Sequence, residues 1–349
     1  MRFLPEPAPP DAPGPTTAIL LCNLGTPDAA SAPAVRRYLA EFLNDPRVIE
    51  IPRLAWWFIL NGVILRVRPA KSAAKYATVW TPEGSPLTVW TDRQAKLLAG
   101  YLGERGHRVT VRFAMRYGNP SIARVLGELK AGGAQRILVL PMYPQYCSAT
   151  TGSVSDAVFQ WAAQVRALPE LRFVNHFPEQ EGYLSALAKR VTDHWARHGR
   201  PEKLVMSFHG MPERTRRLGD PYHDECMRTG NLLAQRLKLQ PGDWQLTFQS
   251  RLGRAAWLQP YTEPTLVEMA QRGVKRVDVV CPGFVADNLE TLEEIDQEAR
   301  DAFLKAGGTE FNYIPCLNDQ HEWMSALSAL ALQHLQGWDT LGAGTASPP

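Results

Sequence analysis

Short apolar runs alternate along the chain with longer stretches whose apolar positions recur every three to four residues. Six of the runs predict buried strands, at residues 18–22, 109–115, 136–141, 203–208, 244–249 and 276–281. The stretches between and after them predict helices at residues 92–103, 121–131, 182–198, 224–237, 264–272 and 319–336. Strands that alternate with helices imply crossover connections and a parallel sheet, so the pattern indicates an α/β fold.

The two halves of the chain carry related sequences in the same order. AILLCNLGTPD (18–28) and KLVMSFHGMPE (203–213) both place Gly-x-Pro and an acidic residue after an apolar strand. GGAQRILVLP (132–141) and RGVKRVDVVCP (272–282) match nearly position for position. This repetition predicts two similar Rossmann-like lobes, each with a parallel sheet flanked by helices, and a cleft between them.

The same pattern suggests where the lobes begin and end. We expect an N-terminal lobe at 16–170, a C-terminal lobe at 171–318 and a final helix at 319–338 that packs back on the first lobe. Residues 1–15 and 339–349 are expected to be flexible ends. Open parallel sheets bind ligands beyond the carboxyl ends of their strands, so the loops after the strands are the expected site.

Composition narrows the class of protein. The 349 residues carry 38 basic and 35 acidic side chains, a formal charge of +3, and 45% of them are hydrophobic. These values exclude disorder, collagen and coiled coil as the main architecture, and no basic stripe for nucleic acid is present. Five cysteines without a C-x-x-C pair indicate a reducing compartment. No signal peptide or membrane-spanning stretch is evident, so we expect a cytoplasmic protein with small-molecule partners.

One histidine follows an apolar strand directly. His209 comes after LVMSF, where an imidazole can act as a base near neutral pH or bind a metal ion. A structural histidine is an equal alternative at this position. Together with Glu290, which follows a neighbouring strand of the same lobe, it would make an incomplete metal site. Such a site suits a metal in passage, because a structural metal needs a closed set of ligands.

The segment ADNLETLEEIDQEARD (286–301) carries a row of acidic residues. On an α-helix they fall within an arc of about 80°, and they are Asp287, Glu290, Glu294, Glu298 and Asp301. Mutual repulsion should raise some of their pKa values, which suits a path for cations or protons. A solvated acidic face is the common alternative.

Flat and apolar side chains complete the candidate chemistry. Stacking walls for a planar ligand are available in the loops after the strands, from Tyr117, Tyr143, Tyr146, Trp257, Tyr261 and Phe284, although some of these belong to the core or its rim. LAWWFILNGVIL (54–65) precedes Arg66, Arg68, Lys71 and Lys75. This order is typical of a membrane-surface lip or of a clamp for ligand carboxylates. A buried helix followed by a solvated one is an equal alternative.

Seven sequence blocks occur in order between residues 18 and 323: LLCNLGTPD, FAMRYGNPSI, PMYPQYCSATTGS, SFHGMPERT, GDPYHDEC, TFQSRLGRAAWLQPYT and CPGFVADNLETLEEID. Together they closely resemble the ferrochelatase family, the enzymes that insert ferrous iron into a porphyrin to make haem. The resemblance implies a chelatase-like fold of two lobes. It also implies the last step of haem biosynthesis, in which protoporphyrin IX takes up Fe²⁺ and releases two protons.

The resemblance assigns roles to individual positions. His209 matches the active-site histidine and Glu290 its partner carboxylate, as iron ligands or proton acceptors; which of them does which stays open. The acidic conduit would comprise Asp287, Glu294 and Glu298. The porphyrin pocket would be lined by Leu24, Arg116, Tyr117, Tyr143, Trp257 and Phe284. The propionate contacts would be Arg68, Lys71 and Ser85.

Two departures from the family pattern bear on cofactors. Some members hold a [2Fe–2S] cluster on a cysteine-rich tail, but no cysteine follows Cys316, and Ser148 stands where those members have a cysteine. We therefore expect no cluster and no permanently bound cofactor, with Fe²⁺ as a substrate. Asn288 stands where some relatives have a second histidine, which argues against a two-histidine scheme.

Partners and alternatives follow from the same resemblance. We expect a monomer that binds protoporphyrin IX and ferrous iron, and no nucleic acid. The apolar segment 54–65 is expected to contact the inner face of the cell membrane peripherally. The alternatives are a chelatase for coproporphyrin, cobalt or nickel, and a protein that only carries a tetrapyrrole.

Overall fold

The computed structural model describes residues 3–8, 16–251, 253 and 255–341, and this part of the chain contains two four-stranded parallel sheets. Each sheet belongs to its own compact unit. Unit 1 comprises the described parts of residues 1–142, 148–176 and 324–349, and unit 2 comprises residues 143–147 and 177–323.

The sheet of unit 1 has the strand order β2-β1-β3-β4. Its strands are β1 (Thr17–Thr26), β2 (Thr110–Gly118), β3 (Arg136–Pro141) and β4 (Glu170–Phe173). Residues 18–22 of β1 are fully buried, as expected for a central strand covered on both faces. The helices of this unit are α1 (Ala32–Phe42), α2 (Arg53–Ile59), α3 (Leu65–Val79), α4 (Pro86–Glu104), α5 (Ile122–Ala131) and α6 (Ser153–Ala162). Two π-helices, π1 (Leu60–Ile64) and π2 (Ser148–Gly152), join them.

The sheet of unit 2 has the strand order β6-β5-β7-β8. Its strands are β5 (Lys203–His209), β6 (Trp244–Gln249), β7 (Arg276–Val280) and β8 (Glu310–Ile314). Its helices are α7 (Glu181–His198), α8 (Glu213–Arg217), α9 (Tyr222–Arg236), α10 (Thr262–Gln271), π3 (Glu290–Ala299) and α11 (Arg300–Lys305). The last helix, α12 (His321–His334), begins in unit 2, and the chain from Met324 onward belongs to unit 1.

The two units have the same topology. In both, the first strand of the unit lies between the second and the third, and a π-helix follows the third. The second strand ends alike in both: Met115 N donates to Pro120 O at 2.7 Å, and Phe248 N donates to Pro260 O at 2.8 Å. The predicted pair of similar Rossmann-like lobes is therefore confirmed.

The hydrophobic pattern found the central strands and missed short or irregular elements. β4 and β8 lie at sheet edges, where polar residues are tolerated, so their sequences (ELRF and EFNYI) lack a continuous apolar run. The acidic segment forms the π-helix π3 where an α-helix was expected. A π-helix is wider because its hydrogen bonds join residues five apart, so the predicted 100° spacing of the acidic row is wrong.

The two units differ from the predicted lobes in that each unit comprises more than one stretch of the chain. Tyr143–Cys147 belongs to unit 2 although it follows β3. Residues 1–2, 9–15 and 342–349, which make up most of the predicted flexible ends, lie outside the described residues. Residues 3–8 and 339–341 are described, and they make contacts within unit 1: Leu4 N donates to Gln164 O at 2.8 Å, and Thr340 Oγ1 lies 2.8 Å from His107 Nδ1. None of the described helices has the length and apolar character needed to cross a membrane.

Candidate active site

His209 is the last residue of β5, and its imidazole has a defined tautomer. Its Nδ1 lies 2.7 Å from Gly210 O. Because a carbonyl oxygen only accepts hydrogen bonds, Nδ1 carries the hydrogen and Nε2 is the basic nitrogen of the neutral ring. The tight turn requires glycine at 210, since a Cβ there would lie 2.5 Å from Gln249 O. The half-buried His209 side chain can thus bind a proton or a metal ion through Nε2.

Glu290, the first residue of π3, is electrostatically coupled to His209. Its side chain is half-buried. Burial raises the pKa of the Glu290 carboxyl; the neighbouring His209 opposes that rise, and the carboxylate of Glu294 adds to it, with a net increase. The structure therefore brings the two residues that the sequence singled out to the same end of the sheet of unit 2, and Glu290 exchanges protons at a higher pH than an ordinary glutamate.

Glu294 is held in place by the end of strand β6. Ser250 N donates to Glu294 Oε1 at 2.6 Å, and the Ser250 hydroxyl donates to the same carboxylate. The buried Gln249 amide donates to Glu294 Oε2 at 3.3 Å and to Glu290 O at 3.0 Å. Ser250 has a φ of +64°, a region that non-glycine residues rarely occupy. Gln249 and Ser250 thus fasten π3 to the sheet.

The sequence interpretation did not assign roles to Gln249 and Ser250. The only local signal was a pair of polar residues at the end of an apolar strand, TFQS. Farther along π3, Glu298 is exposed. Glu290, Glu294 and Glu298, three members of the predicted acidic row, therefore lie along π3 in this order. The first two are half-buried, and the third is exposed.

Asp287 lies just before π3 and is buried. Its carboxylate accepts hydrogen bonds from Tyr313 Oη at 2.5 Å, Asn318 Nδ2 at 2.7 Å and Cys316 N at 3.1 Å. Asp287 N in turn donates to Asn318 Oδ1 at 2.9 Å. Burial and the adjacent Asp287 carboxylate raise the pKa of Tyr313. These contacts join the start of π3 to the segment after β8, so the geometry of Asp287 favours an anchoring role over membership of the exposed row.

Two predicted pocket residues of unit 1 lie at the end of β2 in a separate network. Arg116 Nη2 donates to Asp45 Oδ2 at 2.6 Å, and Arg116 Nε donates to Ser153 Oγ at 2.6 Å. Tyr117 is fully buried, and its hydroxyl donates to Asp45 Oδ2 at 2.9 Å. Burial raises the pKa of Tyr117. The Tyr117 ring has no exposed face in this structure, which favours a supporting role beneath Arg116.

The remaining predicted pocket residues lie at strand ends or in the loops that follow. Leu24 is half-buried near the end of β1. In unit 2, Tyr143, Trp257 and Phe284 are half-buried, and Phe284 packs against the core formed around β7. The indole Nε1 of Trp257 is buried without a hydrogen-bond partner among the described residues. The rings therefore keep part of their surface available.

The predicted propionate contacts all lie in unit 1. Arg68 and Lys71 are three residues apart on α3 and share a face of the helix. Arg68 is half-buried and Lys71 is exposed. Ser85 is buried at the N-cap position of α4. The structure gives no contact that joins these three side chains.

The apolar segment 54–65 has one buried and one exposed face. Trp56 and Leu60 are buried in a small core, where Trp56 Nε1 donates to Leu43 O at 2.6 Å. Leu54 is 74% exposed, Phe58 is 62% exposed and Trp57 is 57% exposed. Further exposed apolar residues on α2, π1 and α3 are Ile59, Val63 and Val67. Segment 54–65 thus has an exposed apolar face, as expected for a surface lip, and a buried face, as expected for a buried helix.

Iron would be a substrate in the predicted reaction, and the donor set fits that role. His209 Nε2 and the Glu290 carboxylate offer one nitrogen ligand and one oxygen ligand. No group of three or more histidine, cysteine, aspartate or glutamate side chains that could hold a metal ion occurs in the described part of the chain.

Comparison with known proteins gives one family. The family model described as Ferrochelatase matches residues 16–335. A ferrochelatase of Methylibium petroleiphilum is 66% identical, with 97% of this chain and 94% of the relative covered. A ferrochelatase of Dechloromonas aromatica is 60% identical, with 97% and 93% covered.

Solved structures of low sequence identity share the fold. SirB from Bacillus subtilis with Fe³⁺ is 12% identical and superposes with a TM-score of 0.53, covering 91% of this chain and 95% of that one. DR2241 from Deinococcus radiodurans, whose structure is described as similar to chelatases, is 11% identical and superposes with a TM-score of 0.51, covering 91% of this chain and 55% of that one. At this identity the likeness concerns the fold alone.

Proposed function

The chain belongs to the ferrochelatase family, and we propose that it carries out the iron insertion of that family with His209 and Glu290 as its reacting residues. The protein is an enzyme of the lyase class that acts in haem biosynthesis, with protoporphyrin and ferrous iron as substrates. The observation that carries the residue assignment is that His209 ends β5 and that Glu290 begins π3, which follows β7, the strand paired with β5.

The chemistry requires the exchange of two protons for one ion. A free porphyrin holds two N–H hydrogens, and both must leave while Fe²⁺ enters the ring of four nitrogens. The ring must also bend, so that a nitrogen lone pair points out of its plane, and holding a bound ring in that shape costs roughly 1–5 kcal/mol. The half-buried aromatic rings proposed to hold the porphyrin in unit 2 are Tyr143, Trp257 and Phe284.

His209 and Glu290 supply the proton acceptors. With Nδ1 bound to Gly210 O, the neutral imidazole presents the lone pair of Nε2 to a porphyrin N–H or to iron. The raised pKa of Glu290, caused mainly by burial, makes this carboxylate a better proton acceptor than an ordinary glutamate. Protons then pass along π3 to Glu294 and to the exposed Glu298. In this proposal Asp287 anchors the start of π3 and takes no proton.

The residues of unit 1 that match the family's substrate contacts keep those roles as part of the proposal. Leu24 and Arg116 would contact the porphyrin, with Tyr117 supporting Arg116 from below. Arg68, Lys71 and Ser85 would bind the propionate groups; Arg68 and Lys71 would do so through charge-assisted hydrogen bonds.

The location and the oligomeric state of the protein belong to the same proposal. The exposed apolar residues of α2 and π1 support a peripheral contact with the membrane surface, which suits a greasy substrate and product. We propose that the protein acts as a monomer on the cytoplasmic side of the membrane and carries no iron–sulfur cluster. Ser148, at the position where some relatives have a cluster cysteine, accepts a hydrogen bond from Arg47 Nη1 at 3.1 Å.

The test is an anaerobic incubation of the purified protein with Fe²⁺ and protoporphyrin IX, followed by absorbance. We expect the protoporphyrin spectrum to be replaced by that of haem at a rate proportional to enzyme concentration. Parallel incubations with coproporphyrin, Co²⁺ and Ni²⁺ measure selectivity. Binding of protoporphyrin without conversion would contradict the proposed reaction and support a carrier.

A further inference from the structure

Arg116, near the carboxyl end of β2, is immobilised on several sides. Its Nε donates to Ser153 O at 2.9 Å and to Ser153 Oγ at 2.6 Å, and its Nη2 donates to Asp45 Oδ2 at 2.6 Å. The guanidinium carbon lies 4.5 Å from the centre of the Tyr117 ring. The Arg116 side chain is only 15% exposed. These contacts fix the plane of the guanidinium group.

Asp45, in the loop after α1, is the residue on which this network converges. Its Oδ2 accepts hydrogen bonds from Arg116, from the Tyr117 hydroxyl at 2.9 Å and from Ser153 Oγ at 2.6 Å, and its Oδ1 accepts one from Arg47 N at 2.8 Å. Burial by itself would raise the pKa of Asp45, but the hydrogen bonds and the charge of Arg116 together lower it. At neutral pH the carboxylate is therefore ionised, and Asp45 and Arg116 form a neutral pair.

A guanidinium group can serve a ligand in two ways. It can attract a carboxylate by charge, or it can offer a flat face on which a ring stacks. The carboxylate of Asp45 weakens the first, because it balances the charge of Arg116 at 2.6 Å. The same carboxylate strengthens the second, because its hydrogen bond, together with those to Ser153, holds the guanidinium in one position against the Tyr117 ring.

We propose that Asp45 is a positioning residue that neutralises Arg116 and fixes its guanidinium as a flat, rigid surface for the porphyrin ring, so that Arg116 contributes shape and not charge. This proposal rests on the proposed function, since it assumes that Arg116 contacts a porphyrin. It predicts that binding at Arg116 does not depend on the carboxylates of the substrate.

Asp45→Asn tests the proposal through porphyrin affinity without iron. Fluorescence titration in one detergent would compare protoporphyrin IX, which has two carboxylates, with its dimethyl ester, which has none. We expect both dissociation constants to rise about tenfold, because the guanidinium loses its ionic partner and its fixed orientation. Unchanged binding of the ester with tighter binding of the diacid would overturn the proposal, since it would show that Asp45 only masks a useful charge.

Arg116→Lys tests the same proposal if Asp45→Asn does not fold. Lysine keeps the positive charge and loses the plane, so we expect the diacid and the ester to be weakened by a similar factor. Affinities equal to those of the unchanged protein would overturn the proposal.

Asp156→Asn is the matched control. It removes the ion pair of Asp156 with Arg47 in the same region and leaves the contacts of Arg116 in place. We expect its affinities to match those of the unchanged protein. An equal loss in this variant would overturn the proposal, because it would show a general loosening of this end of the unit.

Iron insertion by the unchanged protein distinguishes a failure of the proposed function from a failure of the proposed role of Asp45. If that protein makes no haem, the proposed function fails. If it makes haem while Asp45→Asn and Arg116→Lys bind both porphyrins as it does, only the role of Asp45 fails.

Discussion

The two units share a topology and differ in what they place at equivalent strand ends. In unit 1 the end of β2 holds the helix after β3 through a contact of Arg116 with Ser153. In unit 2 the end of β6 holds the helix after β7 through contacts of Gln249 and Ser250 with π3. In both units the end of the second strand thus holds a helix that follows the third strand, α6 in unit 1 and π3 in unit 2.

The chemistry carried by that scaffold differs sharply. Unit 1 balances the charge of Arg116 internally, since hydrogen bonds from Ser153, Arg47 N and Tyr117, together with the charge of Arg116, outweigh burial and lower the pKa of Asp45. In unit 2, burial is the main cause of the raised pKa of Glu290, and the carboxylate of Glu294 adds to it. The sequence repeat aligns Leu24 with His209, so one unit has an inert side chain where the other has a base. The same fold therefore carries a balanced ion pair in unit 1 and a carboxyl of raised pKa in unit 2. Function depends on the side chains and not on the topology.

The largest effect is expected from removing the reacting residues of unit 2. His209→Ala and Glu290→Gln should each lower the rate of iron insertion by about 10²–10⁴, because a positioned acid or base contributes that much. Porphyrin affinity should change little. Anaerobic kinetics and fluorescence titration measure the two quantities.

Asp296→Asn is the control for Glu290 on the same π-helix. Asp296 is paired with Arg300 and lies outside the proposed row. Full insertion activity in His209→Ala would refute the assignment of that residue.

The second comparison concerns the connection between the first two strands of each unit. In unit 1 it contains α1 to α4 and the exposed apolar face of α2 and π1, whereas in unit 2 it contains only α8 and α9. Trp57→Gln combined with Phe58→Gln should weaken binding to lipid vesicles about a hundredfold, since each ring contributes roughly 1.5–3 kcal/mol when buried. Co-sedimentation measures this effect.

The matched control for the lip is Phe159→Gln. Phe159 is also exposed, at 54%, but it lies on α6, outside the lip. Vesicle binding should be unaffected by this change. If the double variant sediments with vesicles as well as the unchanged protein does, the lip does not contact lipid.

The third prediction tests how the strand end supports the acidic row. Gln249→Leu removes the hydrogen bonds to Glu290 O and Glu294 and the one that Gln249 accepts from the buried Ser207 hydroxyl. We expect a loss of about 1–3 kcal/mol in the free energy of unfolding and a roughly tenfold lower kcat. Urea denaturation and steady-state kinetics measure both.

Gln245→Leu, on the same strand, is the control, because among the described residues the amide of Gln245 donates a hydrogen bond to the neighbouring Leu246 O alone. If Gln249→Leu loses stability but keeps its kcat, the strand end supports the fold and not the reaction.

The smallest effect is a displacement of the pH profile. If Glu290 must be ionised to accept a proton, activity falls as the pH drops through its raised pKa. Glu294→Gln removes a negative charge that helps to raise this pKa, so the acid limb should move to lower pH. Asp301→Asn changes an exposed carboxylate on α11 and should leave the limb in place. A limb that moves to higher pH, or stays fixed, in Glu294→Gln would contradict the coupling.

Much of the fold could be predicted from local sequence patterns. The central strands β1, β3, β5 and β7 were predicted because strands covered on both faces carry continuous apolar runs, and the edge strands β2 and β6 were predicted because they also carry several apolar residues. The edge strands β4 and β8 were missed because an edge needs no continuous apolar run. The wide turns of π3 were missed because the spacing of its acidic residues fits an α-helix as well as a π-helix.

The candidate site divides in the same way. His209 and Glu290 were found because strand ends in a parallel sheet meet at one edge, so residues that follow separate apolar runs are predictably close. Asp45 and Ser250 were missed as partners of Arg116 and Glu294 because nothing in their local sequence indicates which distant side chain they meet. The sequence did not decide whether segment 54–65 is exposed or buried, because a membrane-surface lip and a buried helix both require apolar residues at these positions.

The sequence by itself determined the α/β class, the repeat of two lobes and the residue types available for proton and metal chemistry, because these depend on short-range periodicity and on side-chain identity. Only the tertiary structure decided which distant side chains each of those residues contacts. Asp45 lies 71 residues from Arg116, and Ser250 lies 44 residues from Glu294. Hydrogen bonds across such separations depend on the path of the whole chain, and that path sets the surroundings that raise the pKa of Glu290 and lower that of Asp45.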